Sequence, residues 1–245
     1  GGVIAVELAA AFADRTASAL SPKLAAVYKV NERISIKSSI GTGFKAPNNN
    51  DLFANPTWSG GVHPAPSKLT TSNPNLKPEK SRSFDLGTEF YFSQGGNFKA
   101  AYYITKTTDL IYSKDTPVTP YTDPTFNKTI NTLSSKENTG SSLARGIELS
   151  GEYPVVSWLS VSGSYAYTDA KITGDSTNTG MLGKRVTNVP KNIASLALEA
   201  NKGALSGVLA ARYVGELFTS NNNSDVVKNV YTGYSKYAVA DLKLS

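Results

Sequence analysis

From Ser83 to Phe92 the chain alternates, with Phe84, Leu86, Phe90 and Phe92 on one side of an extended backbone and Asp85, Glu89 and Tyr91 on the other. A segment with that period is a strand with one oily face and one wet face. The same alternation sets Ile34, Ile36 and Ile40 against Arg33, Ser35, Lys37 and Ser39, and Ile147 and Leu149 against Glu148, Ser150 and Glu152. About ten segments read this way, at roughly 3 to 12, 22 to 30, 33 to 44, 81 to 92, 97 to 113, 141 to 153, 158 to 172, 188 to 200, 204 to 218 and 236 to 245. Most have the ~10 residues that a tilted strand needs to cross a bilayer, where a soluble strand has ~5–6. The expected fold is all-β, an antiparallel up-and-down transmembrane barrel.

The connections sort by length. Short turns stand at Asn31-Glu32, 93 to 96, 154 to 157 and 201 to 203, and between them lie long polar loops at about 45 to 80, 114 to 140, 173 to 187 and 219 to 235. Strict alternation of short and long is what up-and-down connectivity gives when one end of a barrel carries turns and the other carries loops. Phe90, Phe92, Tyr153 and Trp158 flank short turns, while Tyr112 and Phe218 stand near long loops, as two aromatic girdles require.

Composition removes several chemistries. The chain has no cysteine and one histidine, His63, so thiolate sites and thiol nucleophiles are excluded and a Ser-His-Asp triad would have to form around a single loop residue. No catalytic residue, cofactor or metal ligand is assigned. The 25 basic residues are scattered, without a run that tracks a phosphate backbone, so nucleic acid is not an expected partner. Oxygen-rich stretches at 115 to 123 and 221 to 225 lack the spacing of an EF-hand and read as turn-rich loops. Arg33, Lys37, Asp85, Glu89, Glu148, Glu152, Arg212 and Glu216 are expected on the lumen face. The only methionine is Met181, so the sequence is expected to be a piece of a longer product.

Two segments carry a resemblance. Gly41-Thr42-Gly43-Phe44-Lys45-Ala46-Pro47, followed by Asp51-Leu52-Phe53, and Asn73-Pro74-Asn75-Leu76-Lys77-Pro78-Glu79-Lys80-Ser81, leading into Phe84, resemble the words that bracket one extracellular loop in TonB-dependent outer-membrane receptors. Weaker echoes are Arg145-Gly146-Ile147-Glu148, Val189-Pro190 and Arg212-Tyr213-Val214-Gly215. Gly41, Gly43, Phe44, Pro47, Asn73, Pro74, Leu76, Pro78 and Glu79 are therefore expected to shape the barrel rim. The glycines let a strand bend as it leaves the membrane, and the prolines stop pairing.

The resemblance implies a barrel of 22 strands in the intact receptor, residues 1 to 245 being a C-terminal portion of it without the plug domain and last strands. It also implies location in a Gram-negative outer membrane among its lipids, and energised uptake of a metal chelate of the ferric siderophore or cobalamin class. The partner would be a TonB-type periplasmic energy-transducing protein acting through the plug. Trp58, His63, Tyr121 and Asn222, on the long loops, are the expected ligand contacts. A passive porin shares the strand and loop pattern, and a barrel enzyme or adhesin is the other alternative.

Overall fold

In the computed structural model the described residues are 20–60, 66–123, 128–175, 179–220, 223–224 and 235–245. The strands are β1 (Lys23–Lys29), β2 (Ile34–Lys45), β3 (Thr57–Gly60), β4 (Pro66–Thr71), β5 (Glu79–Tyr91), β6 (Asn97–Asp123), β7 (Lys128–Val156), β8 (Leu159–Asp175), β9 (Asn192–Lys202), β10 (Leu205–Val214) and β11 (Tyr237–Leu244). One short helix, α1 (Asn49–Phe53), precedes β3. The main sheet runs β1-β2-β5-β6-β7-β8-β9-β10-β11, antiparallel between neighbours, with β1 and β11 at its open ends. The expected strand at 3 to 12 lies outside the described residues; the other nine are present.

The register carries one parity across the whole sheet. Ser38 faces Leu86, Leu86 faces Tyr102, Tyr102 faces Ile147 and Ile147 faces Tyr167, so a single row of the pleat runs through five strands. Leu24, Ile36, Ile40, Phe84, Leu86, Phe98, Tyr102, Ile147, Tyr165, Leu196, Leu209 and Leu242 are exposed on that side. A continuous apolar face of this extent is unstable in water and is the face a bilayer covers.

The other parity is polar and cross-linked. Glu89, only 5% exposed, is held by Lys37 and, at 3.0 Å, by Lys99. Ser39 Oγ donates to Asp85 at 2.9 Å, and Asn97 donates to Glu152 at 2.8 Å. Arg33, Glu148 and Arg212 share this parity. Glu216 lies beyond the end of β10 at Val214, 3.7 Å from Arg185 in the connection after β8.

At the short-turn end Phe90, Phe92 and Tyr153 stack edge to face with centroids 4.9 and 5.2 Å apart, and Lys202 lies over Trp158 at 5.5 Å. The buried apolar side chains Leu52, Leu76, Ile130, Ala170, Ile172 and Val214 all stand at the opposite end, where the long connections emerge. That division follows from solvent: within a bilayer the wall's apolar residues face lipid, whereas the loop end must bury its own.

The stretch 114 to 140, expected as a polar loop, is largely strand. β6 and β7 stay paired out to Asp123 opposite Lys128, with irregularities after Thr107, Leu110 and Pro117. Both faces of this ribbon carry Thr, Ser and Lys, so beyond the bilayer the oily and wet alternation disappears although the pairing continues. The stretch 45 to 80 likewise contains α1 and the β3–β4 hairpin.

Candidate functional site

The long-connection end is built on the β6–β7 ribbon. Above Gly140, where β8 ends its pairing at Asp175, the free edge of β7 is taken by β4, parallel, from Pro66 opposite Thr129 to Thr71 opposite Ser135. With β3 antiparallel on β4, the order β3-β4-β7-β6 makes a four-stranded platform beyond the apolar band.

The segment between β2 and β5 is latched onto this platform by the residues of its two motifs. Asn48 caps α1, its Oδ1 accepting from the Asp51 N–H at 2.8 Å, and the Asp51 carbonyl accepts from the Asn73 N–H at 2.8 Å. Asn73 Nδ2 donates to the Lys136 carbonyl at 2.7 Å, and its Oδ1 accepts from the Asn75 N–H at 2.9 Å. Asn138 makes three contacts of 2.8 Å: its Oδ1 accepts from the Lys77 N–H, and its Nδ2 donates to the carbonyls of Lys77 and Asp109. Glu79 accepts from the Ile111 N–H at 3.1 Å, where β6 is irregular, and pairs with Lys45 at 3.3 Å. Leu76, 5% exposed, closes the seam.

The rim glycines act differently from the expected bend. β2 remains paired through Gly41 opposite Ser83 and Gly43 opposite Ser81, and neither glycine has a positive φ. A Cβ on Gly43 would stand 2.9 Å from Ser81 Oγ, so its role is to leave room for that hydroxyl. Pairing ends after Lys45, just before Pro47, and resumes at Glu79, just after Pro78.

On one side of the platform Lys68 Nζ donates to both carboxylate oxygens of Asp115 at 2.7 and 2.8 Å, and the buried Ser134 Oγ donates to Asp115 at 2.6 Å. The Lys68 hydrogen bonds, then that of Ser134, hold the Asp115 carboxyl below its ordinary value of 3.8. A depressed carboxyl stabilises the fold fully above its unfolded pKa, and the contribution disappears as pH falls through the folded value. Hydrogen-exchange protection of the β4 amides, corrected for intrinsic rate, is therefore expected to be flat above about pH 4 and to decline below it; Asp115→Asn removes that decline.

Two of the proposed contact residues, Trp58 and Tyr121, lie on the platform. Trp58 sits opposite Leu69, which sits opposite Leu133, and Tyr121 sits opposite Ile130. On β4, Ser67 stands opposite Ile130 and Leu69 opposite Leu133, so the register shift between Ser67 and Lys68 brings Ile130 and Leu133 to the same side of the platform. Tyr121 is 47% exposed. His63 and Asn222 lie outside the described residues. Among the described residues no three His, Cys, Asp or Glu side chains gather in a metal-holding group. Asp115, first of the oxygen-rich cluster, is engaged by Lys68, and Asn223 is exchanging hydrogen bonds with the backbone of Arg185 at 2.6 and 3.0 Å.

The profile of the family described as TonB dependent receptor-like, beta-barrel, matches residues 4–245. The chain belongs to the TonB-dependent receptor β-barrel family. The solved ferric enterobactin receptor PfeA of Pseudomonas aeruginosa, as its G324V mutant, superposes with a TM-score of 0.72 at 21% identity over 91% of this chain and 32% of that one. Vitamin B12 transporter BtuB of Photobacterium profundum is 34% identical over 64 residues, 26% of this chain and 8% of its own length. Hemoglobin-haptoglobin utilization protein B of Neisseria meningitidis serogroup C is 28% identical over 135 residues, 51% of this chain and 16% of its own length. This TonB-dependent receptor chain thus spans less than a fifth of those two curated relatives.

The sequence reading missed Asn138, Lys68 and Asp115 as the residues that fix the platform. Asn138 stands in a run of polar residues where no periodicity singles it out.

Proposed function

We propose that these residues are the C-terminal portion of the barrel of an outer-membrane receptor that captures a metal chelate on its loop face and imports it with energy from a TonB-type partner. Family membership and the latched platform support this reading, and the likeness to a vitamin B12 transporter and a ferric enterobactin receptor supports cobalamin and ferric siderophores as the first cargoes to try. The single observation that carries it is the rim: the segment 45 to 80, rather than hanging free, is tied through Asn73, Asn138 and Glu79 to a rigid ribbon. A capture surface held in place loses less entropy on binding than free loops would. Trp58, Tyr121, His63 and Asn222 are the proposed contacts, and the wet wall is the proposed seat of the plug.

The test is binding of full-length receptor in detergent to a panel of ferric siderophores, heme and cobalamin, beside a variant lacking 46 to 78. One chelate is expected to bind tightly and to lose at least ~100-fold in affinity, about 2.7 kcal/mol, on excision. Absence of binding, with nonselective conductance in a planar bilayer, favours a passive porin.

A further inference from the structure

The apolar face ends in a band of cations. Counting back along β5 from Phe84, the next two residues of outward parity are Arg82 and Lys80; on β6 the residue after Ile104 is Lys106. Arg82 is paired directly with Lys106, and Lys106 is followed across β7 by Leu143 and then Lys171 on β8. Arg145, opposite Ile104, adds a fifth. From Phe92 to Arg82 a tilted strand rises roughly 25 Å, the height of the apolar band of such barrels. These cations therefore stand where hydrocarbon gives way to headgroups on the loop side.

Their charge is not balanced from within. Asp169 serves Arg145 at 3.6 Å and Lys171 at 3.4 Å, and Asp109 is 3.8 Å from Lys80. Among the described residues no carboxylate forms an ion pair with Arg82 or Lys106. Like charges directly opposite on adjacent strands destabilise a sheet unless an anion lies between them. Beside the pair is a concavity of about 560 Å³ lined by Thr42, Phe44, Lys80, Arg82, Lys106 and Thr108. It offers an aromatic wall to an acyl chain and, beyond it, a guanidinium and two ammonium groups to a phosphate.

We infer that the outward surface around Arg82 and Lys106 is a binding site for the phosphate of an anionic lipid in the loop-side leaflet. The lipid supplies the missing counter-charge and pins the barrel at a fixed depth, independently of any cargo held by the loops. The inference rests on the membrane-barrel reading but not on which chelate is carried.

Native mass spectrometry of the full-length receptor released from micelles containing phosphatidic acid is the test, with phosphatidylcholine of the same chains and inorganic phosphate as comparison arms. Wild type is expected to retain phosphatidic acid. The double variant Arg82→Ser, Lys106→Ser is expected to lose roughly 30-fold in retention, about fivefold per cation, while the lumen variant Lys99→Ser retains it as wild type does. Equal retention by the double variant, equal retention of phosphatidylcholine, or displacement by millimolar inorganic phosphate overturns the inference. Heat-modifiable gel mobility shows that each variant is folded. Chelate binding, measured on the same samples, is expected to be unchanged in the double variant; a folded barrel that retains the lipid but binds no chelate sinks the cargo reading alone.

Discussion

Full-length receptor carrying Leu86→Arg is expected to lose ~2–4 kcal/mol of folding stability in a bilayer, the cost of a cation near mid-depth on the lipid face of a barrel. Leu86 is 45% exposed and lies between Ser38 and Tyr102 in the row of outward parity. No carboxylate shares that row nearby, and the mid-depth position is too far from either surface for the guanidinium to reach water without thinning the bilayer. The matched change on the other parity, Ser35→Arg, puts its cation opposite Glu89 on the wet wall and is expected to cost less than ~1 kcal/mol. Urea titration of the refolded receptor in vesicles measures both. Equal costs for the two would mean that the two faces do not meet different solvents.

Asn138→Ala is expected to free the segment 46 to 78 without unfolding the wall. The amide holds the Lys77 N–H, the Lys77 carbonyl and the Asp109 carbonyl at once, so its removal leaves one donor and two acceptors to find water in a seam closed by Leu76. Lost hydrogen bonds of this kind cost ~1–3 kcal/mol, and here that cost falls on local opening. Cleavage by a protease within the segment is expected to accelerate by about tenfold or more, since ~1.4 kcal/mol is a factor of ten in the open population. Asn138→Asp keeps the acceptor for Lys77 but loses both donations, and is expected to fall between. A wild-type cleavage rate in Asn138→Ala would show that the latch is held elsewhere.

The wall was legible in the sequence because a bilayer forces each strand to declare its faces. Phe84, Leu86 and Phe90 against Asp85 and Glu89 fix the parity of β5, and pairing carries it to β2 and β6. The platform was hidden for the converse reason. In water on both sides, Lys114, Asp115, Ser134 and Ser135 need no alternation, and the parallel pairing of β4 with β7 joins segments some sixty residues apart with no local signal. The rim motifs were recognisable as words, yet their partners, the Asn138 side chain and the Lys136 carbonyl, sit in a stretch read as loop. Arg82 and Lys106 could have been found by parity alone: both continue the outward rows of Phe84 and Ile104. Neither was among the charges read onto the lumen face, and Glu216, which was, lies beyond the end of β10.

Spin labels placed singly from 82 to 91 in full-length receptor in bilayers test the alternation directly; these 245 residues contain no cysteine to compete with the introduced ones. Collision rates with molecular oxygen, which concentrates in hydrocarbon, are expected to peak at 84, 86, 88 and 90 and to fall at 85, 87 and 89, with the oxygen signal dropping at 82 where headgroups begin. A flat profile, or peaks at the odd positions, would contradict a wall with lipid on one side and lumen on the other.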